Sequence, residues 1–290
     1  MTHTMKGTTR RHRRITTFDR VNIIILVILS LLFLYPIVVT ISTSISDPSV
    51  MLSSTVYLLP YGFSLEAYKT LLERSNILQY YLNTILYAFG GTAIHLFCTS
   101  LMAYPLTFRD FRGKKTITVL LTITMFFSGG LIPTFLWMRD LGLYNNPMIM
   151  IVMGMVSVWN LMVARTYIQT SIPNELYEAA AIDGASHFQY FFKVVLPLSA
   201  TIVAVLSVYY GVGKWNDYYT GLVYMKDKSI LPLQTVLRQI LATLNYNASD
   251  FAEMFDDMAK QQEAVRIANV VKYCAIIVST VPAVILYLFM

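Results

Sequence analysis

Six stretches of this chain are each long and apolar enough to cross a bilayer, and nothing else in the sequence limits its fold as strongly. A crossing helix needs about 20 mostly apolar residues. The stretches run from Val21 to Ser44, Tyr80 to Phe108, Thr116 to Met138, Pro147 to Tyr167, Val194 to Val212 and Ala268 to Met290. In hydrocarbon every backbone N–H and C=O must find a partner within the protein, so runs of this length fold as helices. Composition points the same way: 56% of the 290 residues are hydrophobic and only 13% charged, against about 25% charged in a soluble domain. The first run is longer than the roughly 7–15 apolar residues of a signal peptide and no A-x-A cleavage pattern follows it, so it reads as a retained span. The expected fold is an all-α membrane protein with six transmembrane helices.

Charge sets the orientation. Lys6, Arg10, Arg11, Arg13, Arg14 and Arg20 crowd the first twenty residues, and Arg109, Arg112, Lys114 and Lys115 follow the second stretch. The two outer loops hold Lys69, Arg74 and Arg139. Basic loops stay on the cytoplasmic side, so residues 1–20 read as a basic cytoplasmic tail, with a multi-pass protein of the cell membrane behind it. The net charge of +6 is therefore a topology signal. No aromatic-rich basic patch or groove-reading motif accompanies it, and no nucleic-acid partner is expected. Cys98 and Cys274 both lie in apolar runs and read as small buried side chains. Gly and Pro recur in the stretches, at Gly129, Gly130, Pro133, Gly154 and Pro197 among others. They fit either a bundle that must flex or ordinary membrane-helix composition.

Two segments are too polar to cross. Residues 166–193 form a cytoplasmic loop, and residues 213–267 an extracytoplasmic segment of mixed charge, including Asp250, Glu253, Asp256 and Asp257. Leu233 to Leu244 is amphipathic and is expected as a helix lying near the surface. The loop from Glu175 to Pro197 reads as helix, turn, helix. Pro173 suits a helix start, and Glu175 and Glu178 favour the N-terminal half through the helix dipole. Ala179, Ala180 and Ala181 are strong helix formers that leave a narrow surface. Gly184 ends the helix as a turn or C-cap. Ser186 with Gln189 three residues later is a capping-box pattern for a second helix, along which Phe188, Phe191, Phe192 and Val195 make an apolar stripe. A short helical hairpin of this kind fits a partner's groove, or packs on its own bundle.

The stretch EAAAIDGASHFQYFFKVVLP resembles the EAA motif of binding-protein-dependent ABC importer permeases: EAA, two residues, DGA, and a later LP. Glu178, Ala179, Ala180, Asp183, Gly184, Ala185, Leu196 and Pro197 occupy its fixed positions. The segments Phe126 to Pro147, Lys214 to Tyr224 and Leu231 to Leu241 are similar to the carbohydrate branch, which includes maltose- and alginate-type importers. The resemblance implies a single permease domain over residues 21–290, with hairpin 173–197, between spans four and five, as the coupling element that seats in an ATPase subunit. It implies further partners: a second permease, an ATPase dimer, an extracellular solute-binding protein and membrane lipid, with a carbohydrate, an oligosaccharide, as cargo. Relatives usually carry a basic tail past the sixth span. Here no charged side chain follows Lys272 before Met290, and a truncated frame or fragment is the expectation that departure raises.

Chemistry of the chain's own is not indicated. No G-x-x-x-x-G-K-[ST] loop is present to hold phosphates, and no Cys/His set has metal spacing. The expectation is no bound cofactor and no enzyme activity, with ATP and Mg handled by the partner ATPase. His95 reads either as a proton relay or as a helix-to-helix hydrogen bond. For the substrate pathway the candidates are Asn160, Trp215, Asn216, Asp217 and Tyr218, polar and aromatic groups of the kind that bind sugars. An interfacial aromatic belt is the competing role for Trp215 and Tyr218. The alternative function, an ion-gradient-driven secondary transporter or channel, predicts paired ionisable groups deep in the spans, of which there are few. An intramembrane enzyme would need a catalytic set, and none is recognisable.

Overall fold

The computed structural model describes residues 16–48, 58–74, 77–108, 110–246 and 258–288. Lys6, Arg10, Arg11, Arg13, Arg14, Arg109, Asp250, Glu253, Asp256, Asp257 and Met290 lie outside the described residues. The described residues are mostly helical, the helices being joined by turns and loops, with one isolated bridge between Ser46 and Phe63. Helix α1 (Thr17–Ser44) opens on a capping box in which Thr16 and Asp19 satisfy each other's backbone N–H groups. Its apolar side chains from Ile23 to Leu34 are all more than 40% exposed, as lipid-facing residues of a membrane helix are. Only its last residues, Ser42, Thr43 and Ser44, are buried.

Helix α2 (Glu66–Arg74) leads to α3 (Ile77–Ala103), the central element. α3 packs against α6 (Met148–Val152), α7 (Val158–Ser171) and, most extensively, α11 (Ala200–Trp215). α1 and α2 lie instead against the last helix, α14 (Met258–Leu288).

Among the described residues, two helices, Thr17–Ser44 and Ile77–Thr107, are long and apolar enough to cross unaided, and two bent pairs raise the number to four. The third, fourth and fifth expected crossings are not continuous helices. The third stretch folds as α4 (Lys114–Phe126) and α5 (Leu131–Asp140), bent by 115° at a break that contains Gly130 with φ 83°. The fourth divides into α6 and α7 around Gly154, φ 69°. A left-handed residue cannot continue a right-handed helix, and glycine adopts that conformation without a Cβ penalty. The fifth joins the polar loop through helices that bend by 78° into α11. In the sixth, the apolar part of α14 is Val270–Ile285.

The amphipathic segment forms the expected helix, with Arg238 and Gln239 exposed on one side, and its apolar side is covered by other helices. Helix α13 (Leu233–Tyr246) buries Leu233, Thr235, Val236 and Leu237 against α12 (Tyr218–Tyr224), α14 and α3. Its apolar face had a partner that only the tertiary fold supplies. Gly221 makes the α12–α13 contact possible, because a Cβ there would overlap Thr235 Oγ1 and come within 2.9 Å of the Pro232 ring.

Candidate functional site: a helical hairpin rooted in the bundle

The first helix of the hairpin is α8 (Asn174–Ile182), preceded by Pro173 in extended conformation. It ends in a Schellman arrangement: the Ala185 N–H donates to Ala180 O at 2.9 Å and the Gly184 N–H to Ala181 O at 3.1 Å. Gly184 sits at φ 75°, the left-handed position this termination requires. Ser186 then caps α9 (His187–Tyr190). Its Oγ accepts from the Gln189 N–H, and its own N–H donates to Gln189 Oε1 at 2.8 Å. One π-helical turn, Phe191–Val195, and the three-residue helix α10 (Leu196–Leu198) lead into α11. Both ends of the turn between α8 and α9 are thus tied by local hydrogen bonds that the sequence encodes.

The hairpin is pinned to the bundle by aromatic rings. His187 shares hydrogen bonds with Tyr104 Oη through Nδ1 (3.1 Å) and with Tyr177 Oη through Nε2 (3.5 Å). Tyr177 stacks on His187 and meets Phe108 edge-on, with centroids 4.8 Å apart in the latter pair. Tyr104 packs against Phe191. Burial, with Tyr177 adding to it, pushes the Tyr190 phenol above its ordinary range, so it stays neutral. These rings continue into a core that includes Leu161, Ile168, Val195, Ile202 and Leu206. A displacement of the hairpin is therefore transmitted to α3, α7 and α11, since packed cores deform little.

The residues of the motif divide between root and tip. Ala180 and Leu196 pack on the core, and Ala185 is half-buried. Glu178, Ala179, Asp183, Gly184 and Pro197 are exposed. Ile182 is 87% and Phe188 69% exposed, a solvent-facing apolar pair at the tip of a polar loop. The expected stripe of four residues splits, with Phe191 and Val195 buried and Phe188 and Phe192 exposed. The π-helical turn adds a residue to the helical repeat and breaks the period. A cavity of about 800 Å³ opens beside the hairpin, lined by Phe108, Asp110, Arg112, Tyr177, Glu178 and His187 among others. Sequence reading missed Tyr104, Phe108, Tyr177 and His187 as a unit, since no spacing rule links residues some 80 positions apart.

The pathway candidates lie elsewhere and serve several contacts. Asn160 is buried in the first turn of α7, where the Ser157 hydroxyl accepts its N–H. The Trp215 indole is buried, donates to Ser279 O at 3.0 Å and meets Tyr81 edge-on. Asn216 Nδ2 donates to Val212 O. The Asp217 carboxylate caps α12 by accepting the Thr220 N–H at 3.0 Å. Tyr218 lies beneath the Arg238 guanidinium, 4.6 Å from the ring centroid. The cluster at 215–218 is thus a joint between α11, α12, α13 and α14, and Asn160 stands apart from it. His95 forms an interhelical bond, its Nε2 lying 2.9 Å from Ile151 O. No group of three or more metal-ligating side chains occurs among the described residues.

The family model described as "binding-protein-dependent transport system inner membrane component" matches residues 9–290. A polygalacturonan/rhamnogalacturonan transport system permease protein of Bacillus subtilis is 34% identical over 272 residues, covering 94% of this chain and 93% of that one. A melibiose/raffinose/stachyose import permease of the same organism is 28% identical over 188 residues, 63% of this chain and 68% of its own. Among solved structures, a bacterial ABC transporter involved in import of the acidic polysaccharide alginate superposes with a TM-score of 0.83, at 31% identity and 97% coverage of both chains.

Proposed function

The chain belongs to the family of binding-protein-dependent transport system inner membrane components, and on that premise we propose that it is the permease subunit of an ABC importer that carries an oligosaccharide into the cell. The hairpin carries the reading. Its turn is locked at both ends, its tip is exposed, and its root is continuous with three helices of the bundle. Such an element receives force from outside the membrane and delivers it inside.

In this proposal residues 21–290 form one permease domain with six crossings and the N-terminus inside, the broken stretches counting as one crossing each. Hairpin 173–197 seats in a partner ATPase through Glu178, Ala179, Asp183, Gly184 and the exposed Ile182. Ala180, Ala185, Leu196 and Pro197 hold its shape. A second permease completes the pathway, and a solute-binding protein delivers the sugar at the outer face. ATP and Mg belong to the ATPase, which alone does the hydrolysis. Closure of the ATPase dimer tilts the hairpin and switches the bundle between two rigid-body states. Asn160, Asn216, Asp217 and Tyr218 supply polar contacts along the sugar path, and Trp215 fixes the joint that presents the last three. The carbohydrate cargo rests on the relatives, whose names specify polygalacturonan and rhamnogalacturonan, melibiose, raffinose and stachyose, and alginate.

The test is retention of partners by the tagged chain, solubilised from its native membrane in mild detergent, as wild type and as Ala179→Trp. Ala179 is exposed, so the bulky ring disturbs docking and not the fold. The wild type is expected to retain an ATPase and a second permease, and the variant to keep the permease and lose the ATPase. A wild type that emerges alone even after crosslinking would overturn the importer reading in favour of a gradient-driven transporter.

A further inference from the structure

The interruption of the fourth stretch leaves helix α6 with C-terminal carbonyls that have no partner within the helix, a cost that in a water-poor bundle must be met by other groups. Two side chains from other helices meet it. Lys214, in the last turn of α11 and 7% exposed, donates from Nζ to Met150 O at 2.7 Å and to Met153 O at 2.8 Å. His95, on α3 and 2% exposed, reaches the intervening Ile151 O. Because a carbonyl can only accept, Nε2 carries the proton. Three carbonyls around the break are thus held by one ammonium and one imidazole.

The neighbourhood is shaped for this lysine. A Cβ on Gly91 would stand 3.2 Å from Cγ, Cδ and Cε of Lys214, so the lysine stem lies close against α3 at this glycine. One turn along, His95 meets Tyr210 edge-on at 5.1 Å, and the Tyr210 hydroxyl pairs with Thr99 at 2.7 Å. Gly91, His95 and Thr99 of α3 therefore face Tyr210 and Lys214 of α11 at helical spacing. A buried ammonium without hydrogen bonds is strongly unfavourable, and this one bonds backbone carbonyls, which cannot leave with a titrating side chain.

We propose that Lys214 is a positioning residue that fastens the broken fourth stretch to α11, so that α3, α6 and α11 move as one unit during transport. The proposal rests on the permease reading for its role in transport, while the fastening itself is a property of the chain alone. Without it α6 swings on the Gly154 break independently of α11. ATPase-driven motion arriving through α11 then fails to reach the outer half of the pathway.

The measurement is a spin-label distance between Met148→Cys on α6 and Tyr209→Cys on α11, both exposed positions, in a Cys98→Ser, Cys274→Ser background. It is taken in lipid nanodiscs for the free chain and for the assembled importer, with and without trapped nucleotide. The wild type is expected to give one narrow distance in all three. Lys214→Met, which keeps the stem and loses the donors, is expected to broaden it and to lower sugar carried per ATP by about tenfold or more, the loss of hydrogen bonds to a charged group. Lys214→Arg, still a donor, is expected to recover part of both. Lys214→Leu, shorter and also without donors, serves as the second variant should Lys214→Met fail to assemble, and is expected to broaden the distance likewise. A wild-type distance that shifts with nucleotide, or an unchanged distribution in Lys214→Met or Lys214→Leu, overturns the proposal. A wild type that retains no ATPase defeats the importer reading, and the free-chain distances still decide the fastening.

Discussion

Replacing Gly184 separates the shape of the hairpin from its chemistry. The residue sits at φ 75° with no heavy atom within 4 Å of where a Cβ would stand. A substitution there meets no neighbour, so its whole effect is backbone strain. For an ordinary L-residue the left-handed conformation costs about 1–2 kcal/mol, while Asn tolerates it. A tenfold change in an equilibrium corresponds to about 1.4 kcal/mol. Gly184→Ala and Gly184→Val are therefore expected to weaken binding of the ATPase subunit by about 5- to 30-fold, Val more than Ala. Gly184→Asn should stay within about threefold of wild type. The assay is equilibrium titration of the purified ATPase subunit against each variant in lipid nanodiscs. Thermal unfolding run in parallel should show the bundle unchanged, because the strain is confined to an exposed turn. The order is the diagnostic. If Val binds as tightly as wild type, or if Asn and Val weaken binding equally, the left-handed turn is not the docked geometry and the hairpin argument fails.

Three further outcomes follow from contacts elsewhere. Gly221→Ala drives a methyl group into Thr235 and the Pro232 ring and should destabilise the fold by about 3 kcal/mol, near the upper end for an overpacked site, seen as a lower melting temperature and poor recovery from detergent. Trp215→Phe removes the indole donor from Ser279 O while keeping most of the ring. It should cost about 1 kcal/mol and leave ATPase retention intact, whereas loss of sugar transport with unchanged stability would make Trp215 a substrate contact. The Asp227 carboxylate accepts the Ser229 N–H, which holds it below its ordinary value of 3.8. The sign for a depressed carboxylate is that its contribution is present above the unfolded value and lost as pH falls through the folded one. Protection of the Ser229 amide, judged from its exchange rate relative to the intrinsic rate at each pH, is therefore expected to fall only below the usual carboxylate range, and Asp227→Asn should remove that pH-dependent fall.

The sequence by itself determined that the chain is an all-helical membrane protein and where its hairpin lies, because both are written in local terms. The length of an apolar run decides that it lies in lipid, and Pro173, Gly184 and the Ser186–Gln189 pair act within a few residues of themselves. The eight positions of the EAA pattern lie in one short stretch, so the resemblance they carry is visible in the sequence alone. What the tertiary structure decided is long-range. The burial of α13, the aromatic ring set of Tyr104, Phe108, Tyr177 and His187, and the structural duties of Trp215 and Asp217 depend on which helix lies opposite. Gly130 and Gly154 were visible as glycines in apolar runs, but only the fold shows the helix broken there. Lys214 states the difference most plainly: as a letter it marks the end of a span, and only when α3 and α6 pack against α11 does it meet the carbonyls that make its burial possible.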